Sequence, residues 1–331
     1  MHMADALLAP AVAVTMYAAS GVAAGLSVNR LRRDDNPQKL PTMAVTAALV
    51  FAGQMINYTI PGTGSSGHMC GGMLLSALLG PQAGFLSMIV ILAIQCLFFA
   101  DGGLMALGAN IWNMAFYGCF VGYYLIWRPI MRSRLFGNLG DKGGQRARIV
   151  LASVLGAVIT LQLGAFSVVI ETSLSGITEL PFGAFLALMQ PIHLAIGLIE
   201  GLVTAAVLVF VYESRPELIR EADTSGEAGK GSFSLRTTIL VLAVVAALVG
   251  GGLSLLASSN PDGLEWALFG NADAGYSENM GLDEEEFGVS SGLADAAGTT
   301  VSGLVGSAMV AGVALLICLA GGFFRKRKAA R

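Results

Sequence analysis

Met69-Cys70-Gly71-Gly72-Met73-Leu74-Leu75-Ser76-Ala77-Leu78-Leu79-Gly80 is apolar but well short of the roughly 20 residues that a membrane-crossing helix requires. Whether this stretch crosses decides the topology of everything around it. Hydrophobic residues make up 55% of the chain and charged residues 12%, against roughly 45–50% and about 25% in soluble domains. Apolar runs of spanning length lie near 7–28, 41–57, 83–100, 108–127, 148–170, 188–212, 237–257 and 301–324. The expected fold class is therefore all-α, a polytopic membrane protein.

Lys and Arg gather in three places. Arg30, Arg32, Arg33 and Lys39 form one group; Arg128, Arg132, Arg134, Lys142, Arg146 and Arg148 a second; and Arg325, Lys326, Arg327 and Lys328 end the chain. The positive-inside rule puts all three in the cytoplasm. Between the first two groups the chain must cross an even number of times, yet only the runs at 41–57, 83–100 and 108–127 have full length. The stretch at 69–80 is thus expected to traverse as well, giving about nine crossings with the N-terminus outside and the C-terminus cytoplasmic. The segment 260–300 agrees, because Asp262, Glu265, Asp273, Glu278, Asp283-Glu284-Glu285-Glu286 and Asp295 are accompanied by no Lys or Arg, as suits an external loop. Such a loop either concentrates cations or is a solvated acidic linker. Residues 213–236 are polar and rich in Gly, Ser and Glu, the composition of a cytoplasmic linker. They divide a membrane domain at 1–212, with about seven transmembrane segments, from a second at 237–331, where two transmembrane helices flank the acidic loop.

The first apolar run has no positive residue before it, so it is not laid out as a secretory signal. A bulky residue after Met1 is expected to block removal of that methionine. His2 is one of only 3 histidines. A free amine, the next backbone nitrogen and His2 Nδ1 can close adjoining five- and six-membered chelate rings, and a fourth nitrogen would complete the plane that Ni(II) and Cu(II) favour. His68, in the glycine-rich run Pro61 to Gly72, is the candidate for that fourth position. Glycines there admit positive φ and let irregular backbone carry an imidazole to depth, where protein shields it from lipid. The competing reading of His2 is a solvated terminal residue, but the topology brings His2, His68 and His193 to one face. His193 is read as the start of the seventh span, either hydrogen-bonded to a loop carbonyl or supporting the site without ligating. Asp101, at the same face, is the carboxylate best placed to orient an imidazole. Gln54, Asn57, Asn110 and Asn113 lie near the outer ends of their spans, to support the ligands or to cross-link helices. Glu200 falls mid-span within the small-xxx-small pattern Gly197 to Gly201, as a protonated or paired carboxylate.

Enzymatic classes find little footing. There is no HExxH and no GxSxG. The run Gly226-Glu227-Ala228-Gly229-Lys230-Gly231-Ser232 fails as a phosphate loop, since Gly231 stands where Ser or Thr must bind magnesium. Cys96, Cys119 and Cys318 sit within spans without CxxC spacing, and Cys70 among glycines reads as packing rather than thiolate ligation.

Met1-His2-Met3-Ala4-Asp5, Phe51 to Tyr58, Pro61 to Gly72 with Ser66-Gly67-His68, Phe98 to Gly103, Leu107 to Asn110, and Pro191-Ile192-His193 with Gly197 to Thr204 resemble the M-type substrate-binding subunits of nickel/cobalt energy-coupling-factor transporters. Asn260-Pro261-Asp262-Gly263-Leu264-Glu265-Trp266 between two spans resembles the small N-type accessory subunit, here fused. The resemblance implies that the Met1 amine, the His2 backbone nitrogen and imidazole, and the His68 imidazole bind Ni2+ or Co2+ as a transported substrate. No resident cofactor, enzymatic activity or nucleic-acid partner is implied. Expected partners are membrane lipid, a transmembrane coupling subunit and cytoplasmic ABC ATPases, in the plasma membrane of a bacterial or archaeal cell. The family often has an aromatic residue after an Asp/Glu-Gly pair near the N-terminus, whereas Ala4-Asp5-Ala6-Leu7 stands here, so this loop is expected to pack differently. A face of Ala19, Gly21, Ala23 and Gly25 is smooth enough to dock on the coupling protein or to pack internally. A metal-sensing or metal-gated membrane protein without ATPase partners is the alternative function.

Overall fold

The computed structural model describes residues 1–32, 39–178, 180–222, 231–269 and 301–316. The acidic run after Phe269, the basic C-terminus, Arg33 and residues 223–230 of the linker lie outside the described residues. The chain is mostly helical: α1 (Pro10–Leu31), α2 (Lys39–Gln54), α3 (Gly72–Leu79), α4 (Pro81–Phe99), α5 (107–131), α6 (Gly140–Ser175), α7 (Phe182–Ser214), α8 (Leu235–Gly251), α9 (Gly263–Phe269) and α10 (Val301–Leu316). Strands β1 (Tyr58–Thr59) and β2 (Ser66–Gly67) pair antiparallel, Tyr58 opposite Gly67 and Thr59 opposite Ser66. The all-α expectation is thus corrected by one small hairpin, whose turn runs through Gly62 and Gly64 at φ 80° and 76°. Such backbone suits glycine because it has no Cβ to clash.

Among the described residues, four helices are long and apolar enough to cross a membrane: Pro10–Leu31, Pro81–Phe99, Phe182–Ser214, and Gly137–Ser175 if the turn before α6 is included. The apolar helices Thr42–Gln54, Leu235–Gly251 and Val301–Leu316 are shorter. The short stretch that decided the parity becomes α3, of 8 residues and buried throughout. At 1.5 Å per residue it is only about 12 Å long. The hairpin and the loop to Gly71 bring the chain inward before α3 begins: Tyr58 Oη reaches the Ile196 carbonyl at 3.3 Å, and Cys70 N reaches Glu200 at 2.7 Å, both along α7. Beyond Leu79, Gly80 (φ 86°) turns the chain and Pro81 starts α4.

Close approach at glycines sets the packing. In α5, Ile111–Trp127 has the wider i→i+5 winding, and its Gly118 faces Gly72 of α3, with the place for a Cβ only 2.9 Å from the Gly72 Cα. Gly197 and Gly201 of α7 admit Val158 and Val154 of α6 in the same way, so the small-xxx-small pattern is a helix contact. The accessory helix α8 packs on α2 and meets α10 where Gly250 lies against Gly303. α1 is largely uncovered: Val14, Val22 and Leu26 are 65–69% exposed, as suits side chains that meet lipid. At the end of the bundle away from the hairpin, Glu221 takes Arg132 at 2.6 Å and Tyr123 at 3.1 Å, and the Trp127 indole donates to the Arg220 carbonyl.

Gly118→Val is expected to force α3 off α5 and to cost about 1–3 kcal/mol, as overpacking does. It should lower the thermal unfolding midpoint in detergent. Gly21→Val, where nothing lies within 4 Å of the Cβ position, should leave the midpoint unchanged.

Candidate metal centre

The N-terminal strap lies inside the protein. Met1 is 5% exposed, Met3 and Leu7 are fully buried, and a short turn at Asp5–Leu7 leads into α1. Its backbone is held in register: Met3 N donates to Asn110 Oδ1 at 2.8 Å, while Asn110 Nδ2 and Gly103 N donate to the Met3 carbonyl at 3.1 and 2.9 Å. The Asp5 carboxylate accepts from Ala106 N at 3.0 Å, directly over Gly103, where a Cβ would collide with it. In this chain a carboxylate-to-backbone contact therefore seats Ala4-Asp5-Ala6-Leu7.

Two potential nitrogen donors of the strap, the Met1 amine and His2 Nδ1, each meet a carboxylate. The Met1 ammonium donates to Asp262 Oδ2 at 2.8 Å, and His2 Nδ1 donates to Asp101 Oδ1 at 2.9 Å. His2 Nε2 is buried with no partner. The expected chelate uses His2 Nδ1, so closing it requires His2 to exchange Asp101 for the ion, and Met1 to exchange Asp262. The His68 ring stacks on His2 with centroids 5.1 Å apart and planes 19° apart. Its Nδ1 donates to the Met69 carbonyl at 3.0 Å, which leaves Nε2 as the nitrogen with a lone pair for a metal. Met1, His68, His193, Asp262 and Gly263 share the wall of a cavity of ≈ 10 Å³, room for a single water-sized particle.

His193 is corrected in place and in partner. α7 begins at Phe182, so His193 lies well inside the helix, and its Nδ1 donates to the Met189 carbonyl of its own helix at 2.8 Å rather than to a loop. Its Nε2 is buried without a partner beside Gly263. The backbone carbonyl of Asn57 accepts from Ser258 N at 2.7 Å. Gln54 and Asn113 cross-link the interior, Gln54 to Gln95 at 2.9 Å and Asn113 to Glu171 at 2.7 Å. Asp101 and Asn110 do reach the strap.

Asp262 is the residue that the sequence did not single out, being one acidic residue in an acidic segment. It does two things here. Oδ1 accepts from Leu264 N and Glu265 N, both at 2.8 Å, capping α9, while Oδ2 holds Met1. Its segment lies along the hairpin: Ser66 N donates to the Pro261 carbonyl at 2.7 Å and Ser66 Oγ to the Asn260 carbonyl at 2.7 Å. A Pro-Asp-Gly turn followed by an apolar run is a helix-start signal, but nothing local points it at Met1.

Electrostatics follow from these pairs. Burial alone would lower the pKa of the Met1 amine, but the Asp262 carboxylate outweighs it and holds the amine above its ordinary value. Against the same burial penalty, the Met1 ammonium holds Asp262 well below the usual carboxylate range. His2 likewise pulls Asp101 down despite burial. Burial first, then the Met1 ammonium and His2, push His68 down to about 4, so its imidazole is neutral and ready to ligate at neutral pH. Among the described residues no three His, Cys, Asp or Glu side chains converge as a metal cluster, so a metal held here would draw on main-chain and terminal nitrogen.

Residues 2–218 match the family model CbiM, cobalt uptake substrate-specific transmembrane region, and residues 236–321 match the PDGLE domain. The chain is 35% identical over 315 residues to a putative fused nickel transport protein NikMN of Archaeoglobus fulgidus, covering 94% of this chain and 95% of that one. It is 29% identical over 256 residues to a cobalt transport protein CbiM of Geobacter sulfurreducens, covering 75% and 70%. A crystal structure of a truncated transition metal transporter superposes with a TM-score of 0.53 at 29% identity, over 64% of this chain and 98% of that one.

Asp262→Asn removes the charge that opposes burial. The midpoint of the Met1 amine, followed by the chemical shift of a labelled Met1 Cα, should fall by about 1–3 pH units.

Proposed function

The chain belongs to the family of CbiM cobalt-uptake transmembrane proteins, with a PDGLE domain fused behind it, and from that premise we propose that it captures Ni2+ or Co2+ as the substrate-binding component of an energy-coupling-factor transporter. It is a multi-pass membrane protein of a nickel and cobalt transport family whose relatives are named as transporters, not enzymes. In our reading the ion is bound by the Met1 amine, the His2 backbone nitrogen, His2 Nδ1 and His68 Nε2, and is cargo rather than cofactor. His193, Asp101 and Asn110 support that plane without completing it.

One observation carries the proposal: the chain terminus is buried beside two stacked imidazoles, with its amine and His2 Nδ1 each held by a carboxylate. A buried ammonium is costly unless it is paired. Asp262 and Asp101 hold the two donors in position, and they are the groups an arriving divalent cation would displace. The protons that leave the Met1 amine and the His2 amide carry away two positive charges as one dication arrives, which keeps the local charge balanced.

The proposed frame is about nine crossings, N-terminus outside and C-terminus cytoplasmic, with the metal-binding domain at 1–212, the linker at 213–236 and the accessory domain at 237–331. Energy comes from partners, a transmembrane coupling subunit and ABC ATPases. The α1 face at Gly21 and Gly25 supports docking on the coupling subunit, since nothing within the described chain lies within 4 Å of either Cβ position.

Any residue placed before Met1, or acetylation of its amine, should abolish tight Ni2+ binding while the protein stays folded in membranes, as read by metal titration. Unchanged affinity would exclude the terminal chelate.

His68→Ala should weaken binding strongly, whereas His193→Ala should cost about 10–100-fold, the range for groups that only orient ligands. Equal losses would make His193 a ligand.

Binding displaces a proton from the raised Met1 amine and another from the His2 amide, whereas His68, at about 4, is already neutral. Below the amine's pKa, affinity should therefore climb by about 100-fold per pH unit, since each displaced proton contributes about tenfold. A nickel titration across pH 6–8 checks this; a pH-independent affinity would contradict the chelate.

A further inference from the structure

The mechanism above leaves Glu200 unused, although a carboxylate within a membrane-level helix is costly and generally has a task. Glu200 is 1% exposed. Its Oε2 accepts from Cys70 N at 2.7 Å and its Oε1 from Gly71 N at 2.9 Å. These are consecutive main-chain donors immediately before α3, and Gly71, at φ 81°, is the residue that caps that helix. The first N–H groups of a helix lack intrahelical acceptors, and its N-terminal end carries partial positive charge, so a carboxylate here satisfies both needs.

The same dipeptide is held from its other side. Gln54 Nε2 donates to the Cys70 carbonyl at 2.7 Å, and Gln54 Oε1 is itself held by Gln95. One residue before His68, Gly67 lies so close to Ile196 that a Cβ would fall 2.5 Å from its side chain. By contrast, the hydrogen bond of the His68 ring goes to the carbonyl of Met69, within the loop itself. The place of the imidazole is therefore inherited from the backbone of residues 67–71, and that backbone is seated on α7. The far end of α3 is held by the chain that continues from α7: Arg220 N donates to the Ala77 carbonyl at 2.8 Å, and an Arg220 guanidinium nitrogen donates to the Leu79 carbonyl at 3.2 Å. A carboxyl group stands at the positive pole of α3 and a guanidinium at its negative pole, so α3 is seated at both ends.

We propose that Glu200 is a positioning residue of the metal centre, which fixes the His68 imidazole as the fourth in-plane nitrogen by clasping the Cys70 and Gly71 amides. This rests on the reading of His68 as a ligand. A planar set tolerates displacement of only about 0.5 Å before geometry is lost, and Glu200 supplies that tolerance from outside the ring of ligands. Glu200→Gln keeps the size of the side chain and one carbonyl acceptor but turns an amide donor toward the second N–H. It releases the loop without opening a cavity.

The test is a double-mutant cycle of Glu200→Gln and His68→Ala on the full chain in lipid nanodiscs, read by Ni2+ titration and by the nickel absorption spectrum. Glu200→Gln alone should weaken Ni2+ by about 10–100-fold and move the spectrum away from the square-planar band. In the His68→Ala background it should change neither, because the group it positions is gone. Equal effects of Glu200→Gln in both backgrounds, or wild-type affinity and spectrum in the single variant, would overturn the proposal. If His68→Ala itself leaves affinity and spectrum intact, the ligand assignment fails instead. Should Glu200→Gln not accumulate in membranes, Glu200→Asp, which keeps the charge but draws it back by one methylene, enters the same cycle with the same deciding outcomes.

Discussion

The ion pair between the first residue of the chain and a carboxylate 261 residues later is the contact on which the site depends. A chain terminus carries a charge, and the strap that bears it is buried to its first residue. Such a charge is driven back to water unless a partner of opposite sign is buried with it. Asp262 provides that partner only because its segment lies against the hairpin and its Gly263 against His193. The fused PDGLE part is thus a wall of the candidate metal centre. Its Asp262 also caps α9, so one side chain both faces Met1 and starts the helix that carries it.

Elsewhere around the centre, polar side chains hold backbone. Asn110 pairs with both polar groups of Met3, Asp5 with the Ala106 amide, Gln54 with the Cys70 carbonyl, and Glu200 with two amides. A site whose proposed donors are a terminus and a main-chain nitrogen needs this arrangement, because main-chain donors have no rotamers with which to adjust. Glycines do the complementary work. Gly102, at φ 88°, has its Cβ position within 3.5 Å of His2, and a Cβ at Gly103 would strike Asp5, so the loop after α4 can lie directly on the strap.

The opposite end of the bundle has its own polar cluster, with Glu221 between Arg132, Arg128 and Tyr123, and Arg220 against α3. These are exposed or half-exposed pairs, each worth little to stability. Their arrangement has more consequence than their energy. The segment after α7 touches the end of α3, while the middle of α7 touches its beginning, so one helix spans from the basic face to the loop that carries His68.

The features legible in the sequence were those set by local composition. Long apolar runs demand helices in a bilayer, Arg and Lys clusters mark one side, and glycine runs forbid a plain helix around His68. The positions of most helices and the motifs of both family domains follow from these. The parity of the basic clusters gave the expectation of a crossing at 69–80, and there the structure has a short buried helix after an inward-running hairpin, a division of labour that hydropathy averaging cannot see. Tertiary structure decided the rest. Asp262 looked like any acid in an acidic segment, His193 like a helix end, and Glu200 like a carboxylate without a role. What each does depends on which distant group it meets, and in an apolar interior that choice is made by the need to pair every buried charge and amide at once. No window of sequence contains that condition, because the partners of the Met1 amine, the Met3 backbone and the Cys70 amide lie about 100 residues or more along the chain.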